Sequence, residues 1–316
     1  MALIRYLSIV ILSSLIIMAV SSKLVNIGVR RSSVDFFGKM NAAGNRSVKV
    51  DIILAGSSRV LVQVDPKIID SITGLQSYNY GLNLIGIKSS YNLINYALYA
   101  HPDTKLILLN IDYNMFDMEK DPYKDPFFYA YEKDFSGKFV MADPKLNFFH
   151  RLHIFDISMY DDMVKYAAIA GLISPHKILP GVYKGYFPDS SLNSFVVPPS
   201  SLMAHKTDAS FTDTGMDILR QIVTLCKQKG KTLILVIAPY PKKYSPEKYI
   251  ANYSAIINKV KMAADSSKVA FFDYSDNFIS QDSTCFYDIL HLNIKGAEMY
   301  TRLVGNDIKR SIDTAR

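Results

Sequence analysis

Three short apolar runs constrain this chain more than any other feature. Residues 48–55 (VKVDIILA), 105–111 (KLILLNI) and 232–238 (TLILVIA) are rich in β-branched and aliphatic residues and show little polar alternation. A strand apolar on both faces must be covered on both faces, as in a parallel sheet held between helices. Weaker runs at 77–80 and 269–272 add two more strands. Helical patterns lie between them: a start at Asp65-Pro66, then residues 89–100, 217–229, 249–264 and 296–310, with Gly230 as a C-terminal stop. Strands alternating with helices predict a three-layer α/β/α sandwich with a mostly parallel sheet.

That pattern is interrupted twice. Residues 6–21 (YLSIVILSSLIIMAVS) form an uncharged apolar block, with Arg5 before it and Lys23, Arg30 and Arg31 after it. The block predicts one N-terminal transmembrane helix, residues 1–22, acting as a signal anchor; a signal peptide cut near Ala19-Val20-Ser21, giving a secreted protein, is the second choice. No cysteine follows the block, which excludes a lipoprotein. Residues 23–48 are polar and mixed and read as a linker with one helix. Residues 49–316 then form the main domain. Inside it, residues 113–211 lose the strand rhythm and are rich in Tyr, Phe, Pro and Asp, with one long helix near 157–172 and a loop at Val196-Val197-Pro198-Pro199. This segment is expected to be an insertion that caps the sheet. The chain has 21 Tyr and 17 Phe but no Trp. Packing under long loops explains most of them, and a sugar-stacking surface at Phe127, Phe128, Tyr129 and Tyr131 explains the densest cluster.

Chemistry concentrates at two places. Gly56-Ser57-Ser58-Arg59 follows the first strand, where open α/β sheets gather ligands. Ser there is also ordinary turn or cap chemistry. Asp288-Ile289-Leu290-His291 comes late, and Asn293 and Gly296 extend it to His-x-Asn-x-x-Gly entering the last helix. A carboxylate three residues before a histidine can hold one ring nitrogen while the other faces a nucleophile.

These two motifs resemble those of the SGNH, or GDSL-like, hydrolase superfamily, over about residues 50–112 and 213–310. Gly56-Ser57-Ser58 matches the Gly-Asp-Ser motif with Ser57 in the Asp place, and Asp288 and His291 match the late Asp-x-x-His. The Gly-Ser-Ser form is similar to membrane-anchored branches, the D-alanine transfer protein and polysaccharide O-acetylation proteins. The resemblance implies Ser58 as nucleophile, His291 as general base and Asp288 as its orienting carboxylate. It implies an oxyanion hole from the Ser58 N–H, the Gly81 N–H and Asn110. Two departures stand out. Gly81 is loosely spaced, and Leu109-Asn110-Ile111-Asp112 lacks the Gly of the family's third block. Arg59 is expected to pair with a buried carboxylate, or else to bind an anionic substrate.

The net charge of +7 is scattered, with no Lys/Arg run of the kind that grips nucleic acid, and suits an anionic membrane or acidic envelope polymer instead. Cys226 and Cys285 lack metal-site spacing, and sequence cannot pair them. His150 and His153 stand three apart with no carboxylate spacing to complete a metal site, so neither metal nor organic cofactor is expected. Together these features predict an extracytoplasmic serine acyl-ester hydrolase or O-acyltransferase acting on an envelope or exported polysaccharide. The alternative is a catalytically weak scaffold that binds glycan or partners a membrane-bound O-acyltransferase.

Overall fold

The computed structural model describes residues 1–135, 139–140, 148, 150–175, 183–188, 201 and 205–314. The chain forms two units. The first comprises Met1–Gly44 and Tyr123–Leu179, the second Asn45–Pro122 and Pro180–Arg316. The expected insertion is thereby divided, with 123–179 in the first unit and its remainder in the second. The loop expected at Val196-Val197-Pro198-Pro199 lies outside the described residues.

The second unit is built on five parallel strands: β1 Ile52–Ala55, β2 Ser77–Asn79, β3 Leu106–Asn110, β4 Thr232–Ile237 and β5 Ala270–Asp273, in the order β2-β1-β3-β4-β5. Registers such as Ile52↔Leu106, Leu54↔Leu108 and Leu108↔Ile234 bring apolar residues side by side. Alternate residues Ile52, Leu54, Leu106, Leu108, Ile234 and Val236 face one layer, where Leu292, Ala297, Tyr300, Val304 and Ile308 pack on them. These last come from or directly precede the amphipathic helix Ile294–Thr314. Each fully buried aliphatic side chain stabilises by roughly 1.5–3 kcal/mol, so this helix is firmly seated. Helices Ile87–Ala100, Asp213–Gln228 and Tyr253–Ser267 belong to the other layer. The expected parallel sandwich is therefore present. β1 is flanked by β2 on one side and β3 on the other, so the chain changes direction across the sheet between β1 and β3. Ligands of open α/β sheets bind at the carboxyl ends of strands at such a point.

In the first unit the N-terminal helix runs Ala2–Val29, 28 residues or about 42 Å. Among the described residues it is the one helix long and apolar enough to cross a membrane. It outruns the apolar block because nothing in Ser22 to Val29 breaks a helix, and Ser22, Gly28 and Val29 are buried within this unit. The expected linker thus carries the last turns of that helix and a second one, Asp35–Ala43. Phe36 and Phe37 of the second helix meet Tyr123, Phe127 and Phe128 as a ring cluster, with Phe37 stacked on Phe127 at 5.4 Å. Phe127, Phe128, Tyr129 and Tyr131 are all buried, at 2% exposure or less. This corrects the expectation of a sugar-stacking surface: the two phenylalanines at 36–37 supply apolar partners that draw the cluster inward.

Candidate active site

β1 ends at Ala55 and the chain reverses at Gly56, whose φ of 146° is a conformation that side chains oppose. Ser57 then caps the short helix Ser58–Leu61, its Oγ accepting from the Arg59 N–H at 3.2 Å. Ser58 is left as the first helical residue at the carboxyl edge of the sheet, partly exposed.

The partner residues come from a tight reversal between β5 and the last helix. Phe286 bridges Leu292, and the Tyr287 N–H donates to the His291 carbonyl at 2.8 Å. Asp288 Oδ1 accepts from the Leu290 and His291 N–H groups, each at 2.7 Å. Asn293 closes the turn: its Oδ1 accepts from the Gly296 N–H and its amide donates to the Thr284 carbonyl. Gln63, fully buried, donates to the Leu290 carbonyl at 3.0 Å and ties this loop to the segment that follows the nucleophile helix.

The result is a linear relay. His291 Nε2 lies 2.8 Å from Ser58 Oγ, and His291 Nδ1 lies 2.9 and 3.1 Å from the two oxygens of Asp288. With Nδ1–H donating to the carboxylate, Nε2 presents its lone pair to the serine hydroxyl; that tautomer is assigned from the network. Burial pushes the Asp288 carboxyl up, but the His291 hydrogen bond and charge and two backbone N–H groups outweigh it and hold the group below the ordinary carboxylate value. Both side chains stay about one quarter exposed, so the relay is reachable from solvent.

A second network lies beneath. Ser57 Oγ donates to Asp112 Oδ2, and Arg59 pairs with Asp112 Oδ1 at 2.9 Å. Arg59 also donates to the Pro239 carbonyl at 2.7 Å and lies 3.8 Å over the Tyr240 ring. It is 3% exposed, so its role is structural and the anion-binding option is set aside. Asn110 is buried, donates to Asp112 Oδ1 at 3.1 Å and accepts from the Ala238 N–H at 3.1 Å. The Gly81 N–H donates to Asn79 Oδ1 at 2.9 Å. A Cβ on Gly81 would fall 2.3 Å from the Leu61 nitrogen, so the residue is small because the loop presses on the nucleophile helix.

The structure thus unites Ser58, Asp288 and His291, and it commits Arg59, Gly81 and Asn110 to internal bonds. The Ser58 N–H has no partner among the described residues. Sequence reasoning gave no role to Gln63, Asp112 or Tyr240, and gave Ser57 only its place in the motif. A signal existed for some of this: Asn79 two residues before Gly81, and Asp112 two after Asn110, are spacings at which short polar side chains bond neighbouring groups.

No family model matches the chain, and no curated protein matches it. Two solved structures are similar in backbone. One, from Streptococcus pneumonia, is provisionally described as a platelet activating factor; it is 13% identical, with a TM-score of 0.46 over 88% of this chain and 92% of that one. The other, from Bacteroides fragilis and provisionally described as an acylhydrolase, is 11% identical, with a TM-score of 0.41 over 83% and 91%. Neither likeness bears on activity.

Proposed function

We propose that this protein is an extracytoplasmic serine acyl-ester hydrolase or O-acyltransferase, acting on an envelope or exported polysaccharide. One observation carries the chemistry: the Ser58–His291–Asp288 relay, with 2.8 and 2.9 Å links. Ser58 Oγ attacks the acyl carbonyl carbon as His291 Nε2 takes its proton. The tetrahedral oxyanion collapses, the leaving alcohol receives that proton, and the acyl group stays on Ser58. Water or a sugar hydroxyl, deprotonated by His291, then attacks the acyl-enzyme and frees Ser58. The apolar helix Ala2–Val29 and the scattered net charge of +7 support placement at a membrane surface, with the relay outside the cytoplasm.

A specific observation favours the second reading, a scaffold that binds glycan or partners a membrane-bound O-acyltransferase. The Gly81 N–H is given to Asn79 and one of the two Asn110 amide protons to Asp112, which weakens the oxyanion hole expected from the Ser58 N–H, the Gly81 N–H and Asn110. Loss of a single donor typically costs about 3–4 kcal/mol of transition-state stabilisation. A fluorophosphonate probe separates the readings. The wild-type protein should be labelled at Ser58 and hydrolyse small acetyl esters, and Ser58→Ala should lose labelling and drop turnover by roughly 10³-fold or more. An unlabelled, correctly folded wild type would establish the scaffold.

A further inference from the structure

Four side chains with metal-binding atoms converge in the first unit: Glu132, His150, His153 and Asp156. The sequence gives His150 and His153 no completing carboxylate at a familiar spacing. The fold supplies Asp156 from three residues further on and Glu132 from the 3-10 segment Asp125–Phe135. His150 Nδ1 lies 2.7 Å from Asp156 Oδ1, and His150 Nε2 contacts Glu132 Oε2. His153 Nδ1 lies 3.6 Å from Asp156 Oδ2. Ligand atoms of His150, His153 and Asp156 all fall within 4.8 Å of one another.

Asp156 is fully buried, yet its Oδ2 has no hydrogen-bond partner among the described residues. An unpaired carboxylate oxygen away from water is costly, so a missing positive partner is the economical explanation. The 3.6 Å separation from His153 is too long for a hydrogen bond. It is close to the roughly 3.3 Å between two ligand atoms of a tetrahedral zinc ion with bonds of about 2.0–2.1 Å. Glu132 stands at the far ring nitrogen of His150, where metal-bound imidazoles usually find a carboxylate. With Nε2–H given to Glu132, Nδ1 faces Asp156 Oδ1 at 2.7 Å, a pairing that either a second ring proton or a bound cation satisfies. Tyr129 stacks on His150 at 3.7 Å and fixes the ring. His153 is held at φ 48°, which non-glycine residues adopt at a cost.

We propose that His150 Nδ1, His153 Nδ1 and Asp156 bind one zinc ion, with Glu132 orienting His150 and the remaining position taken by water. Two imidazoles and one carboxylate suit zinc. The ion enters past His153, whose side chain is 43% exposed. Its effect is structural. Ser22 of the N-terminal helix donates to the Ile154 carbonyl and accepts from the Ile157 N–H, so the metal stiffens the loop on which that helix is pinned.

The test uses untagged full-length protein in detergent micelles, stripped with chelator, dialysed against zinc chloride and assayed by elemental analysis. Wild type should retain one zinc per chain, and cobalt in its place should show the visible absorption of a tetrahedral site. His153→Ala should lose both; its exposed position keeps the fold intact, as circular dichroism would check. Glu132→Gln should weaken zinc affinity about 10–100-fold. A wild type that retains no zinc overturns the proposal, as does a folded His153→Ala that retains as much as wild type.

Discussion

The Ser57 hydroxyl turns inward to Asp112, whereas the Ser58 hydroxyl meets His291. The two neighbours should therefore fail differently. Ser57→Ala leaves a buried carboxylate one donor short and should cost about 1–3 kcal/mol of stability, read as a lower Tm, with most ester turnover kept. Turnover falling as far as in Ser58→Ala would instead put Ser57 in the reaction. Asp288 gives a pH test. Its folded value is depressed, so its contribution is present above the unfolded value near 3.8 and is lost as pH falls through the lower folded value. The stability gap between wild type and Asp288→Asn, measured by urea unfolding, should hold near neutrality and close below about pH 3.8; a gap that widens on acidification would contradict the assignment. Ser58, Asp288 and His291 were legible because each motif is local and chemically distinctive. The occupation of Asn110 and Gly81 was harder to read, because it depends on which acceptor the backbone brings to a given N–H.

Elements differed in legibility for similar reasons. Strands β1, β3 and β4 could be found because burial on both faces leaves an unbroken apolar run, whereas the edge strands β2 and β5 leave weaker ones. The helix expected at 157–172 is broken instead, into Asp156–Met159 and Asp162–Ile173, because Asp161 accepts from the Val164 N–H at 2.9 Å and caps a new start. Core and sugar-binding aromatics look identical in sequence, which is why the Phe127 cluster was misplaced. At this scale Gly81 joins a loop to a helix. Gly81→Ala forces a Cβ against the Leu61 backbone, and backbone cannot yield as a flexible side chain can. Displacing the helix that carries Ser58 by about 1 Å should lower kcat by roughly 10²-fold. Unchanged kcat would mean the loop gives way and the helix stays.

For the whole molecule, topology is the accessible test. The proposed function requires that everything after the 28-residue apolar helix lies outside the cytoplasm. A reporter enzyme fused after Arg316, of a kind active only outside the cytoplasm, should be active; activity of its cytoplasmic counterpart would reverse the orientation. Ser58 and His291 are 233 positions apart, with four of the five strands, β2 to β5, made between them. A ribosome therefore delivers the nucleophile early and its proton acceptor late. Until residue 291 is made and folded, the chain carries an ordinary serine. On the proposed chemistry, a copy terminated before residue 291 has a nucleophile with no proton acceptor, so only the finished and folded chain would act on an ester.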